Sequence, residues 1–206
     1  MLELSEAEIR VLGCLIEKQH TTPDVYPLTL NALRLACNQS TNRDPVVDYD
    51  EATIRAALER MSRRRYTRLA SGHGSRATKY RHLLDETLSL DDGALSLLAV
   101  LMLRGPQTPG ELRQRTERLH HFADAGELER ALERLVSRDL ARRLDRQPGQ
   151  KEARYRQLLR GDEGAAEGAE DAPAAAPGED DRLARLEREV SALRRELADL
   201  RAQLGG

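Results

Sequence analysis

The side chains with chemistry to offer are arginines at helical spacing. In "TIRAALERMSRRRYTR" (53–68), Arg55, Arg60 and Arg63 fall five and three residues apart, Arg64 adjoins Arg63, and Arg68, Arg76 and Lys79 follow. The C-terminal half has Arg130, Arg134, Arg138, Arg142, Arg146, Lys151 and Arg154 in the corresponding stretch. A guanidinium fork matches phosphate oxygens and guanine edges, so the chemistry expected is the binding of a polyanion. The same residues have a structural alternative. Arg55–Glu59 and Glu59–Arg63 are helix-surface ion pairs, and Arg63, Arg64 and Arg65 end a helix where cations suit the dipole. Both basic helices also begin acidic, with Asp50 and Glu51 in one and Asp124 and Glu127 in the other.

No pattern argues for catalysis. A phosphate-binding P-loop, a dinucleotide fingerprint, a nucleophile elbow and a zinc-protease helix motif are all missing from the sequence. His120 and His121 are adjacent, so on a helix their side chains diverge by about 100°, and no further ligand stands at metal spacing. Cys14 and Cys37 form no C-x-x-C pair and read as two buried, reduced thiols. The chain is expected to be no enzyme and to need no cofactor.

The elements that must position the arginines are duplicated. "RATKYRHLL" (76–84) recurs as "EARYRQLL" (152–159), "AALERM" (56–61) as "RALERL" (130–135), and "LSEAEIRVLGCL" (4–15) as "LDDGALSLLAVL" (90–101). A unit of this length is a small domain rather than a solenoid repeat. Ser5 and Glu8 form a capping box ahead of an apolar helical face of Ile9, Leu12, Leu15 and Ile16. "LTLNALRLACNQ" predicts a second helix, and a third starts at Asp50 with Ile54, Leu58 and Met61 inward. Two short extended runs around "GHGS" then predict a hairpin. The second copy repeats the order, with Thr108 and Pro109 opening one helix, Asp124 capping the next, and a hairpin around Pro148 and Gly149. Tyr80 and Tyr155 take matching places, each as a ring packed on a third helix. Three helices and a hairpin make a winged helix, a variant of the helix-turn-helix. The loop "NQSTNRDPV" (38–46) is expected to brace the third helix through Asn38, Asn42, Arg43 and Asp44. A binding surface is the alternative for that loop.

Three of these stretches are long and idiosyncratic. "TPDVYPLTLNALRLACNQSTNRDPV", "LRGPQTPGELRQRTERLHHF" and "RQPGQKEARYRQLL" resemble the bacterial YceH-like proteins, a family of uncharacterised function. The likeness spans residues 2 to about 159. It implies a tandem winged-helix fold and no established activity. Where the family pattern often carries Lys-Ser, this chain has Ser40 and Thr41, so the loop lacks that cation. The Ala-rich acidic segment and the terminal helix are expected to lie outside the shared region.

Composition sets the remaining bounds. The 206 residues carry 33 basic and 35 acidic side chains, with no Trp and one Phe, so the core must be aliphatic and the fold mainly α. Residues 161–206 hold 6 Arg against 12 acidic residues, a net −6, which leaves residues 1–160 at 27 basic against 23 acidic, a net +4. The expected organisation is a first winged helix over 1–86, a second over 87–160, a disordered linker over 161–181 and a coiled-coil helix over 182–204. In that helix Leu183, Leu186, Val190, Leu193, Leu197, Leu200 and Leu204 are spaced 3-4-3-4-3-4. The flanking pairs Arg182–Glu187, Glu189–Arg194 and Glu196–Arg201 are opposite in sign, which suits a parallel homodimer. No apolar run nears the ~20 residues of a membrane span, and no signal sequence is evident, so the cytoplasm is expected. The function expected is regulatory binding of double-stranded DNA. The alternative is a protein-docking module in a larger assembly. A positive stripe over third helix and wing would favour the first, an exposed apolar patch the second.

Overall fold

Six of the helices start where a short polar side chain takes over from the missing helical hydrogen bonds. In the computed structural model, which describes residues 2–70, 77–146, 150 and 152–160, Ser5 caps helix α1 (Glu6–Thr21) and Asp50 caps α3 (Glu51–Arg63). Asp91 caps α5 (Asp92–Arg104), Thr108 caps α6 (Pro109–Thr116) and Asp124 caps α7 (Ala125–Ser137). Thr29 caps α2 (Leu30–Cys37) in the same way. Capping boxes close at Ser5 with Glu8 and at Thr108 with Glu111. The expected hairpins are present as β2 (Thr67–Ala70) with β3 (Lys79–His82), and β4 (Ala141–Arg143) with β5 (Tyr155–Gln157). The fold is mainly helical with small antiparallel sheets.

The duplication extends to the backbone. Strand β1 (Leu28–Thr29) pairs with β3, Leu28 opposite Tyr80, and in the second half Gln107 bridges Tyr155 at the same place. After α3 the chain turns through Arg65 at φ 60°, and after α7 through Asp139 at φ 52°. Tyr66 N–H then donates to Met61 O, as Leu140 N–H does to Leu135 O. One element was not expected. The predicted last strand runs only to His82, and Leu84–Leu88 form the short helix α4.

The two halves share one core. Helix α5 is buried along almost its whole length, as its all-round apolar sequence demands. It lies against α1 so closely that a Cβ on Gly13 would stand 2.9 Å from the Leu103 side chain. Leu4 N–H donates to Leu159 O across the halves at 2.7 Å. Tyr80 and Tyr155 pack on this core, as do both buried, free cysteines. The Cys37 thiol is pushed up by its hydrogen bond with Cys14 and by burial.

Arg43 organises the polar loop. Its side chain is fully buried, and Nη1 and Nη2 donate to the Glu17 carboxylate at 3.0 and 2.6 Å. Nε donates to Ala36 O, and the remaining N–H groups reach Asn42 O and Gln39 Oε1. Burial alone would push the Glu17 carboxyl up; the Arg43 hydrogen bonds and charge outweigh it and hold it below its ordinary value. Asn38 braces the entry to α3 as expected, accepting from Tyr49 N–H at 2.9 Å and donating to Tyr49 O at 2.8 Å.

His82 sets a pH dependence. It is 1% exposed, its Nδ1 accepts from Leu84 N–H, and Tyr26 Oη accepts from its backbone N–H. Burial pushes its pKa down to about 4, against the pull of Asp85, with His20 and Arg81 adding to the depression. The unfolded chain protonates this imidazole near pH 6.5 and the folded chain does not. Stability present above pH 6.5 is therefore lost as pH falls toward about 4, by up to about 3 kcal/mol. Urea unfolding across this window should show the slope in the wild type and a flatter one in His82→Gln. Equal slopes would assign the pH dependence elsewhere.

Candidate nucleic-acid interface

Helix α3 turns Ile54, Ala57, Leu58 and Met61 to the core, which leaves Arg55, Glu59, Ser62 and Arg63 on its outer side. The turn at Arg65 brings β2 and β3 back beside that face. Between helix and hairpin lies an open groove of about 430 Å³. Leu58, Leu69 and Tyr80 give it an apolar lining, Ser62 and Thr67 add hydroxyls, and Arg55, Arg63 and Arg68 outnumber Glu59 among its charges. Lys79 sits on β3 in register with Ala70. Among the described residues, Arg55, Arg63, Arg68 and Lys79 have no hydrogen-bond or ion-pair partner. Four cations free of internal partners thus stand on one helix and the hairpin beside it.

Four of the predicted arginines are occupied within the fold, Arg60, Arg64, Arg134 and Arg138. Arg60 Nε donates to Glu8 Oε1 at 3.1 Å and Nη2 reaches Ser5 Oγ at 3.4 Å. Arg64 Nη1 donates to Leu2 O and Glu3 O. Their equivalents in the second half do the same work. Arg134 pairs with Asp91 at 2.9 Å, and Arg138 donates to Leu88 O and Ser89 O. These four side chains tie each third helix to the segment before its own first helix. Arg76 and Lys151 lie outside the described residues, as do the hairpin tips and Leu183, Leu186, Val190, Leu193, Leu197, Leu200 and Leu204.

Charge is arranged differently in the second half. Where α3 has Arg55, Ser62 and Arg63, α7 has Glu129, Val136 and Ser137. Its hairpin is the more basic one: Arg142, Arg143 and Arg146 are exposed and unpartnered among the described residues. Arg143 stands where β2 has Leu69. Arg142 was among the arginines read from sequence, but neither Leu69 nor Arg143 beside it was singled out. The signal for the second was the doubled arginine at a strand position.

The start of α3 stays acidic. Asp50 Oδ1 accepts from Thr53 N–H at 2.8 Å, and that hydrogen bond holds its carboxyl below the ordinary value. Of the free cations, Arg55 lies about one turn in from that acidic start, Arg63 at the C-terminal end of α3, and Arg68 and Lys79 on the hairpin. His121 contacts Glu117 at 2.6 Å and His120 meets Phe122 edge-on at 4.7 Å. Among the described residues no His, Cys, Asp and Glu group is placed to hold a metal ion, and no helix is long and apolar enough to cross a membrane.

Residues 4–150 match the sequence model of a family described as "Protein of unknown function, DUF480". The chain is similar to a UPF0502 protein of Pelobacter propionicus (strain DSM 2379 / NBRC 103807 / OttBd1), 51% identical over 205 residues, covering 96% of this chain and 93% of the relative. A UPF0502 protein of Geotalea uraniireducens (strain Rf4) is 49% identical, covering 94% and 91%. One of Shewanella sp. (strain ANA-3) is 43% identical, covering 98% and 96%. Matches of this extent run past residue 160. The family model itself ends at residue 150, short of the C-terminal segment.

Proposed function

Because the chain belongs to the DUF480 family, the same uncharacterised family as the YceH-like proteins, its name assigns no activity, and we propose one from the geometry: binding of double-stranded DNA. In this proposal each half is a winged helix, and the first presents α3 and the β2–β3 hairpin to the duplex. One observation carries it. Arg55, Arg63 and Arg68 line the groove and Lys79 stands on the adjoining strand, all without side-chain partners among the described residues, while Arg60, Arg64, Arg134 and Arg138 are used within the fold. The free set suits phosphate contacts, which position a protein on DNA without reading its sequence. The acidic start of α3 opposes base reading by the helix N-terminus, so affinity should come mostly from the backbone and fall with salt. The role is a binding one, regulatory and cytoplasmic, rather than enzymatic.

A second reading has its own observation. Leu69 is 54% exposed in the groove, beside Leu58 and Tyr80, which suits an apolar side chain of a protein partner. The two readings separate by titration of a labelled mixed-sequence duplex with the full chain. Binding at low salt that weakens steeply as salt rises supports DNA. No binding at low salt overturns it and leaves the docking module. Homodimerisation through the heptads of residues 182–204 is proposed from their spacing, with a dimer in sedimentation equilibrium as its expected result.

A further inference from the structure

We propose that the hairpin of the second half holds a backbone phosphate of the bound duplex between Arg142 and Arg156. The site rests on the DNA-binding reading above and adds a second contact to it. In the β4–β5 ladder these two arginines stand directly opposite each other. Like charges at such positions repel, and the ladder holds their backbones side by side. The first half carries Arg68 opposite Arg81 at the equivalent register, one residue from Tyr80 as Arg156 is from Tyr155. There the repulsion is relieved internally, because Arg81 pairs with Glu86 of α4.

In the second half no described residue does this. Arg142 is exposed and unpartnered, and Arg156 has its Nε shielded from water with no acceptor. A guanidinium in that state has hydrogen-bonding capacity that neither solvent nor protein meets. Arg143 and Arg146, exposed close by, add to the positive potential. An oxyanion seated on the pair offsets the repulsion through the terminal Nη groups rather than the shielded Nε, and a phosphodiester offers two unesterified oxygens to the two forks. The outer face of α7 sets Arg130 between Glu129 and Glu133 and spends Arg134 on Asp91, so it offers phosphate a weaker site than the hairpin does. The second half therefore meets DNA with its hairpin and not with its third helix.

The test uses the full chain and the double variant Arg142→Gln/Arg156→Gln, titrated with a mixed-sequence duplex at several salt concentrations. Affinity should fall on the order of tenfold at low salt, and the slope of log affinity against log salt should flatten by about one to two. The melting temperature should stay equal or rise, because repulsion has been removed; an arginine serving only the fold would lower it. Arg142→Gln alone, which removes an exposed side chain with no partner, should give about half of the slope change. Unchanged affinity and slope in the double variant, with Arg63→Glu/Arg68→Glu still impaired, overturns the second contact and leaves the first-half reading standing. A wild type that does not bind duplex overturns both. Inorganic phosphate supplies the last arm: if it raises the wild-type melting temperature over chloride at equal ionic strength, while the variant binds duplex normally, the pair is a free-phosphate site and the proposal fails.

Discussion

Arg43→Ala should destabilise the protein by about 3–5 kcal/mol, the range for breaking one partner out of a buried ion pair. The size follows from what the substitution leaves behind. Glu17 keeps its carboxylate in a largely buried position and loses both N–H groups from Arg43. The carbonyls of Ala36 and Asn42 lose their donors as well. Those two carbonyls belong to α2 and to the loop that leads to α3, so the placement of the third helix weakens with the pair. Arg43→Lys should recover little, because one ammonium cannot reproduce five directed N–H groups. Removing both charges, as Glu17→Leu/Arg43→Met, should recover a substantial part, since the isolated carboxylate is the costly residue of the single change. Urea unfolding of the four proteins measures this. A loss below about 1 kcal/mol in Arg43→Ala would show that the loop is held by something else.

Arg63→Glu/Arg68→Glu should weaken duplex binding on the order of 100-fold at moderate salt and flatten the salt slope by about two, one phosphate contact for each side chain. The loss should be equal for duplexes of different sequence, because phosphate contacts carry no sequence information. Stability should hardly change, within about 0.5 kcal/mol, since both side chains are exposed and unpartnered among the described residues. Arg60→Glu/Arg64→Glu makes the contrasting pair. Those arginines hold Glu8, Ser5, Leu2 and Glu3, so reversing them should lower the melting temperature. Competition binding and thermal melts of both variants read the two effects. If the second pair impaired binding more than the first while leaving the fold intact, the assignment of free and structural arginines would be reversed.

That distinction marks the boundary of what local sequence carries. Caps are local: Ser5, Asp50, Thr108 and Asp124 lie next to the apolar periodicity they start, and each was legible. The repeat was legible for the same reason, since each half encodes its own elements in order. The use of Arg60 and Arg64 depends on a segment some sixty residues earlier folding back over α3, which no helical wheel contains. Helical spacing placed both outward correctly, but outward was not free. Helix α4 escaped notice because it is five residues long and follows Leu83 at its N-cap, with no side-chain cap to announce it. The groove lining joins Leu58 on α3 to Leu69 and Tyr80 on the hairpin, and only the tertiary fold makes them neighbours.

The central claim is that duplex DNA meets the α3–hairpin face of the first half. Backbone amide shifts of the isotope-labelled full chain, followed as a mixed-sequence duplex is added at low salt, test it most directly. The account predicts that the largest changes fall on Arg55, Glu59, Ser62, Arg63, Arg68, Leu69 and Lys79, and that added salt reverses them. Changes confined to α1 and α6, or absent at every position of α3, β2 and β3, would contradict it.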